Sequence, residues 1–246
     1  MNLGGHRALI TGAGQGIGRA CADVFSSRGA DLVLLDRNPK TLEDVTEFIR
    51  KKGGSVLSLP LDLVDSERLR GELEKTQSGG VIDILVNNAG FDRPGTTSKI
   101  DTEAFSSVLT IHLTVPLFLI QCLLPSMKSA GWGRIINVSS IYGLIGAKGE
   151  IAYSSAKAGL IGLTKSVAKE VGQYGVTVNS VLPGLTRTPT IEQFMAERYK
   201  EMIINDTPLG RMAEPEEVAK VIAFLASDDA SFITAAAMPV SGGWGI

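Results

Sequence analysis

A tyrosine and a lysine stand four residues apart in Tyr153-Ser154-Ser155-Ala156-Lys157. On a helix that spacing places both side chains on one face, one turn apart. An ammonium beside a phenol favours the phenolate, because opposite charge stabilises the ionised form. A free tyrosine titrates near ~10, and bringing it to about 7 takes about 4 kcal/mol. The lysine supplies part of that, and a second cation at the site would supply the rest. Alone, Tyr-x-x-x-Lys is a common and weak surface pair. Its meaning depends on what else the chain carries.

A glycine-rich stretch, Thr11-Gly12-Ala13-Gly14-Gln15-Gly16-Ile17-Gly18, joins an apolar run to an apolar-periodic segment. Strand, tight loop and helix follow from that pattern. Glycine lets backbone approach a pyrophosphate, and the helix N-terminus offers free N–H groups and a positive dipole end. The glycines at 12, 16 and 18 do not follow Gly-x-Gly-x-x-Gly, whose third glycine would fall on Ile17 or Arg19. Asp36 ends the next apolar run, eighteen residues after Gly18. A carboxylate there accepts from the ribose hydroxyls of NAD and repels a 2′-phosphate. Arg37 beside it is a group that can hold such a phosphate. The carboxylate is given the greater weight, and NAD is the expected cofactor.

The elements that must position these residues alternate strand and helix along the chain. Strands are expected at 6–11, 31–36, 55–61, 83–87, 134–139, 176–182 and 238–241. Helices are expected at 17–28, 39–52, 66–77, from about Thr102 past Pro116 towards Ala130, at 151–173, near 191–203 and at 214–226. The strands are apolar without alternation, which marks strands buried on both faces of a parallel sheet. The expected fold is α/β: a single Rossmann-type domain over 1–246, with a doubly wound seven-stranded parallel sheet and helices on both faces. The long irregular stretch 183–213 is a candidate substrate lid.

Composition narrows the function classes. The formal net charge is -2, which argues against nucleic acid or an anionic membrane as partner. No apolar run reaches membrane-spanning length; the longest, around Leu113 to Leu124, is short and contains Pro116. Met1 to Arg7 leads into a strand without a secretory pattern, and Cys21 and Cys122 read as buried free thiols, so a cytoplasmic location is expected. With two histidines and no cysteine pair at ligand spacing, no metal site is expected.

Taken together, the motifs resemble the short-chain dehydrogenase/reductase family over the whole chain. Thr-Gly-x-x-x-Gly-x-Gly at 11–18 is similar to its cofactor loop, Asn87-Asn88-Ala89-Gly90 to its second marker, and Asp62-Leu63 to its adenine contact. Ser140 stands thirteen residues before Tyr153, as the family's catalytic serine does. Pro183-Gly184, followed by Thr186 and Thr188, matches the segment folding over the nicotinamide. The resemblance implies that Tyr153 is the general acid/base, that Lys157 binds the nicotinamide ribose and favours the phenolate, and that Ser140 holds the substrate oxygen. Ser139 is the neighbouring alternative. The two face opposite ways on a strand, and the spacing favours Ser140. Gln15 and Ile17 join the glycines, Asp36 and Arg37 as implied cofactor contacts.

Three departures stand out. His112 occupies the place where the family has an asparagine that anchors a proton-relay water; it either handles protons or fills space. Thr234-Ala235 and Val240-Ser241-Gly242-Gly243 differ from the family's Thr-Gly and Val-Asp-Gly-Gly, with subunit packing the expected consequence. Gln15 replaces a residue that is often basic in NADP-using members. The expected activity is NAD(H)-dependent hydride transfer between a secondary alcohol and a ketone, in a homotetramer. An NADPH-dependent 3-oxoacyl-thioester reductase is the alternative, and a cofactor-binding regulator without catalysis is a reading of another class. Phe91, Tyr142, Leu144, Ile145 and Phe194, with Met195, Met202 and Met212, are candidate pocket residues. Arg93 and Arg187 are candidates to bind one carboxylate. Trp244 either reaches a neighbouring subunit or buries an edge.

Overall fold

The strands are buried almost end to end. All four residues of β4 (Ile84–Asn87), all six of β5 (Gly133–Val138) and all eight of β6 (Val176–Pro183) are inaccessible. Such strands need cover on both faces. The computed structural model, which describes residues Met1–Ile246, provides it. With β1 (Arg7–Thr11), β2 (Asp31–Asp36), β3 (Val56–Pro60) and β7 (Ala237–Val240), they form a seven-stranded sheet in the order β3-β2-β1-β4-β5-β6-β7. Every pairing is parallel.

One face is covered by α1 (Gly16–Ser27), α2 (Pro39–Lys51) and α10 (Pro215–Leu225), which share a cluster of 26 buried apolar residues with the sheet. The other face is covered by α3 (Ser66–Ser78), α5 (Val115–Ala130) and α7 (Ile151–Val171), around a second cluster of 22. Two cores of similar size on opposite faces make the sheet doubly wound, as expected. Local chemistry sets the helix starts. Asn38 accepts from the Lys40 and Thr41 amides ahead of Pro39, Asp65 caps α3, and Glu214 and Glu217 form a reciprocal capping box at α10.

Three features differ from the sequence reading. The segment Thr102–Ala130 is one continuous 29-residue helical stretch, apolar enough by composition to cross a membrane. The helix runs past Pro116 to Ala130 as expected; what differs is that Pro116 does not break the apolar run. α4 (Thr102–Leu109) passes into a π turn at Thr110–Thr114 and on into α5, with Pro116 in the first turn of α5. The proline is tolerated because it directly follows the π turn, where the regular i→i−4 ladder is already interrupted. Its apolar residues pack on the sheet and α3: Leu119, Leu123 and Met127 are fully buried in the second core. The helical pattern at 191–203 is two helices, α8 (Pro189–Phe194) and α9 (Glu197–Asp206), separated by extended backbone at Met195 and Ala196. A four-residue helix, α6 (Tyr142–Ile145), interrupts the loop after β5.

Candidate active site

The loops that leave the C-terminal ends of β1, β2, β4, β5 and β6 converge at one edge of the sheet. Ligands sit at this edge in open α/β folds. The glycine loop and the loop after β4 are joined through Thr11. Its hydroxyl accepts from the Asn88 and Ala89 amides, each at 3.0 Å, and the Asn88 amide group donates to the Thr11 and Gly12 carbonyls at 2.9 and 3.2 Å. A Cβ on Gly18 would collide with the Gly12 carbonyl and the Asn88 side chain. Gly12 adopts φ +64, with Ala89 Cα only 2.8 Å from where a Cβ would stand. These two glycines are therefore required by close approach as well as by conformation.

The groups at this edge fit a nicotinamide dinucleotide. α1 begins with no side-chain cap and no acidic residue in its first turn, so its N–H groups remain available to a pyrophosphate. Asp36 Oδ2 accepts from the Gly14 amide at 2.9 Å and Oδ1 from the Asn38 amide at 2.9 Å, which fixes the carboxylate beside the loop. Gln15 Nε2 lies 3.4 Å from Thr190 Oγ1, and Thr188 lies against Gly16, so the segment after β6 closes on the glycine loop. Thr188 also caps α8. Gly184 packs on Ser241 with no room for a Cβ.

Several of the expected residues also make contacts within the protein. Leu63 is buried in the second core with Leu59, Leu61 and Leu69, and Ile17 packs against the first. Asp62 accepts from the Val64 amide within its own loop. The Thr186 hydroxyl is buried and donates to the Gly184 carbonyl. The side chains of Leu63, Ile17 and Thr186 are thus held in packing or local bonds, whereas Asp62 stays exposed. Trp244 packs within its own chain, edge-on to Tyr142 at 5.5 Å and between the apolar clusters under α7 and under α8 and α9. Met212 is buried and Met195 packs beside it, whereas Met202 and Phe194 face solvent because the exposed sides of α8 and α9 carry them.

β5, α6 and α7 build the reacting end. Ser139 is buried and donates to the Lys157 carbonyl at 2.8 Å, so it braces α7 against β5. Ser140 faces the other way: its oxygen accepts from the Tyr142 amide at 3.1 Å and its hydroxyl acts on the Tyr153 phenol. Lys157 Nζ donates to the Val138 carbonyl at 2.6 Å and lies 5.4 Å from the centre of the Tyr153 ring. Ser140 at the end of β5 and Tyr153 and Lys157 on α7 are thus brought together.

Burial sets the electrostatics of this end. Burial pushes the Tyr153 phenol above its ordinary value, and the Ser140 hydroxyl pulls only partly against it. Burial likewise draws the Lys157 ammonium down, to about 7. Both charged forms lose water on burial, so the attraction between ammonium and phenolate works against that cost. Two acidic residues that the sequence reading missed add to this. Burial and the neighbouring Asp92 raise the Glu150 carboxyl to about 8, and both charges oppose ionisation of Tyr153. Their signal was position: Asp92 lies two residues past Gly90 and Glu150 three before Tyr153.

His112 sits in the π turn, buried, with its ring perpendicular to that of Tyr153 at 5.2 Å. Its Nε2–H donates to the Phe91 carbonyl at 2.8 Å, while Nδ1 is buried without a partner. The ring occupies the space that a Cβ on Gly90 would need. Burial and the charge of Lys157 hold the imidazole neutral, well below its usual range.

Comparisons with known proteins fit this geometry. A family model described as Enoyl-(Acyl carrier protein) reductase matches residues 12–245. The chain is 39% identical over 240 residues to the 3-oxoacyl-[acyl-carrier-protein] reductase FabG of Haemophilus influenzae, covering 97% of this chain and 98% of that one.

The chain is a short-chain dehydrogenase/reductase.

Solved structures of this family superpose closely. The 3-oxoacyl-[acyl-carrier protein] reductase from Brucella melitensis gives a TM-score of 0.95 at 31% identity, over 100% of this chain and 93% of that one. Levodione reductase gives 0.95 at 32% identity, over 98% of each. As a short-chain dehydrogenase/reductase the protein is an oxidoreductase acting between CH–OH and keto groups with a nicotinamide cofactor. The Rossmann-type sheet and the reading as an enzyme are borne out.

Proposed function

We propose that this protein transfers a hydride between NAD(H) and a secondary alcohol or ketone, with Tyr153 as acid/base. The observation that carries the cofactor assignment is Asp36. Two backbone amides hold its carboxylate at the end of β2 beside the glycine loop, where it would accept from ribose hydroxyls and repel a 2′-phosphate. The nicotinamide, when bound, supplies or takes the hydride. Ser140 orients the substrate oxygen towards Tyr153. Tyr153 gives a proton to that oxygen in reduction and takes it in oxidation. Lys157 holds the nicotinamide ribose and places positive charge beneath the phenol. Glycines 12, 14, 16 and 18, with the Asn88-Ala89-Gly90 backbone, line the cofactor side.

Because burial raises the phenol, Tyr153 is protonated at neutral pH in the free protein. Alcohol oxidation, which needs the phenolate, is expected to accelerate as pH rises above neutrality, whereas ketone reduction is not. α8 and α9 form the lid over the substrate, the oligomer is a tetramer, and the location is cytoplasmic. The two cysteines are unpaired, Cys21 buried and Cys122 half-buried, in keeping with a reducing compartment.

A second reading, a 3-oxoacyl-thioester reductase using NADPH, is favoured by the names of the relatives. The lid weighs against an acidic carrier as partner, because three of its four cations are already paired and only Arg198 is without a carboxylate. Arg187 binds Glu192 and Glu214, Lys200 binds Glu192 and Glu197, and Arg211 binds Glu217. Titration of NADH and NADPH, each alone, by nicotinamide fluorescence tests the assignment. NADH is expected to bind at least tenfold tighter, about 1.4 kcal/mol. Tighter NADPH binding would bring the thioester reading forward.

A further inference from the structure

Arg37 is the one cation placed to defeat the discrimination made by Asp36. It follows the ribose carboxylate directly, and a planar guanidinium matches a phosphate in a two-pronged geometry. Yet the structure shows it engaged elsewhere. Its guanidinium carbon lies over the ring of Phe91, 6.0 Å from the centroid, and it makes no ion pair with any carboxylate. Arg93 approaches the same ring at 5.6 Å.

Phe91 is well fixed for this. Its carbonyl accepts from His112 Nε2 at 2.8 Å, a bond that ties the loop after β4 to the π turn. Its side chain packs against the second core and also against the small cluster of Val108, Ala152 and Ala156 beside Tyr153. A ring anchored at its backbone and packed on two sides offers a stationary face to a cation. Asp36 is equally fixed by the Gly14 and Asn38 amides, so it does not swing to pair with its neighbour.

We propose that Phe91 is a positioning residue for cofactor choice: it holds Arg37 on its ring, away from the ribose 2′ position, and leaves Asp36 to decide. The inference rests on the NAD reading above. It makes the arginine a latent phosphate ligand whose use requires leaving the ring.

The test is a set of NADH and NADPH titrations by nicotinamide fluorescence on the wild type, Phe91→Leu, Arg37→Ala and the double variant. Leucine keeps apolar bulk and the backbone carbonyl that His112 binds, but has no π face. Phe91→Leu is expected to tighten NADPH about two- to fivefold, the size of one exposed cation–π contact, with NADH unchanged within about twofold. Arg37→Ala is expected to erase that gain in the double variant and to leave NADPH binding unchanged on its own. A merely structural role for Phe91 would move both cofactors together and would not depend on Arg37.

The inference is overturned, with the NAD reading intact, if the wild type prefers NADH and Phe91→Leu leaves the NADPH to NADH ratio where it was. It is overturned also if Arg37→Ala alone weakens NADPH more than about twofold, since the arginine would then already reach the phosphate; that surface variant gives an answer even should Phe91→Leu fold poorly. A wild type that prefers NADPH overturns the NAD reading itself.

Discussion

The two halves of the site are built on opposite terms. At the junction of the glycine loop with the loop after β4, the polar groups satisfy one another: one threonine hydroxyl serves two amides, and one asparagine serves two carbonyls. At the reacting end the balance is reversed. His112 Nδ1, Glu150 Oε2 and Ser154 Oγ are buried without partners. The phenol is pushed up, the ammonium drawn down to about 7 and the Glu150 carboxyl lifted to about 8. Unpaired buried polar groups and displaced ionisations are a feature of functional sites, and they cost the fold stability. The first region is scaffold and the second is chemistry.

Substitutions can break this contrast in order of expected effect. Tyr153→Phe removes the proton donor and should lower kcat by about 10²–10⁴-fold with cofactor affinity preserved, as read by turnover and NADH titration. Lys157→Met should abolish most turnover yet stabilise the fold. Burial draws the ammonium from 10.5 to about 7 in the folded state, so its unfavourable contribution is complete below that pH and fades as pH rises towards 10.5. Chemical denaturation near pH ~6 should show a gain of about 1–3 kcal/mol, vanishing near pH ~10.5. Thr11→Val should act in the opposite sense. It strands the Asn88 and Ala89 amides, and a loss of about 1–3 kcal/mol in denaturant unfolding, with weaker NADH binding, is expected.

The smallest effect belongs to the C-terminal edge. Ala235 is the only non-glycine residue with positive φ, at 61°, at the position where the sequence departs from Thr-Gly. Ala235→Gly should raise stability by about 0.5–1 kcal/mol without touching activity, measured by thermal unfolding and turnover.

Much of the scaffold half was legible because its requirements act on residue type. Only glycine fits at 12 and 18, the carboxylate at 36 braces the glycine loop through the Gly14 and Asn38 amides, and unbroken apolar strands demand cover on both faces. The placement of Tyr153, Lys157 and Ser140 was legible for the same reason, through spacing on α7 and the end of β5. The energetics were not. Whether lysine lowers the phenol or burial raises it depends on how deeply both are enclosed and on where the ammonium points, and spacing carries neither. The Asp92 and Glu150 pair was hidden because it joins two loops 58 residues apart. The break between α8 and α9 at Met195 and Ala196 carries no proline or glycine to announce it.

The most direct test of the account is a single-turnover experiment: enzyme saturated with NADH is mixed with a reducible ketone at neutral pH, and loss of nicotinamide absorbance is followed for the wild type and Tyr153→Phe. The account predicts that both bind NADH equally and that hydride transfer in the variant is slower by at least about 10²-fold. A rate within a few-fold of the wild type would show that Tyr153 does not deliver the proton, and the division into scaffold and chemistry would have to be redrawn.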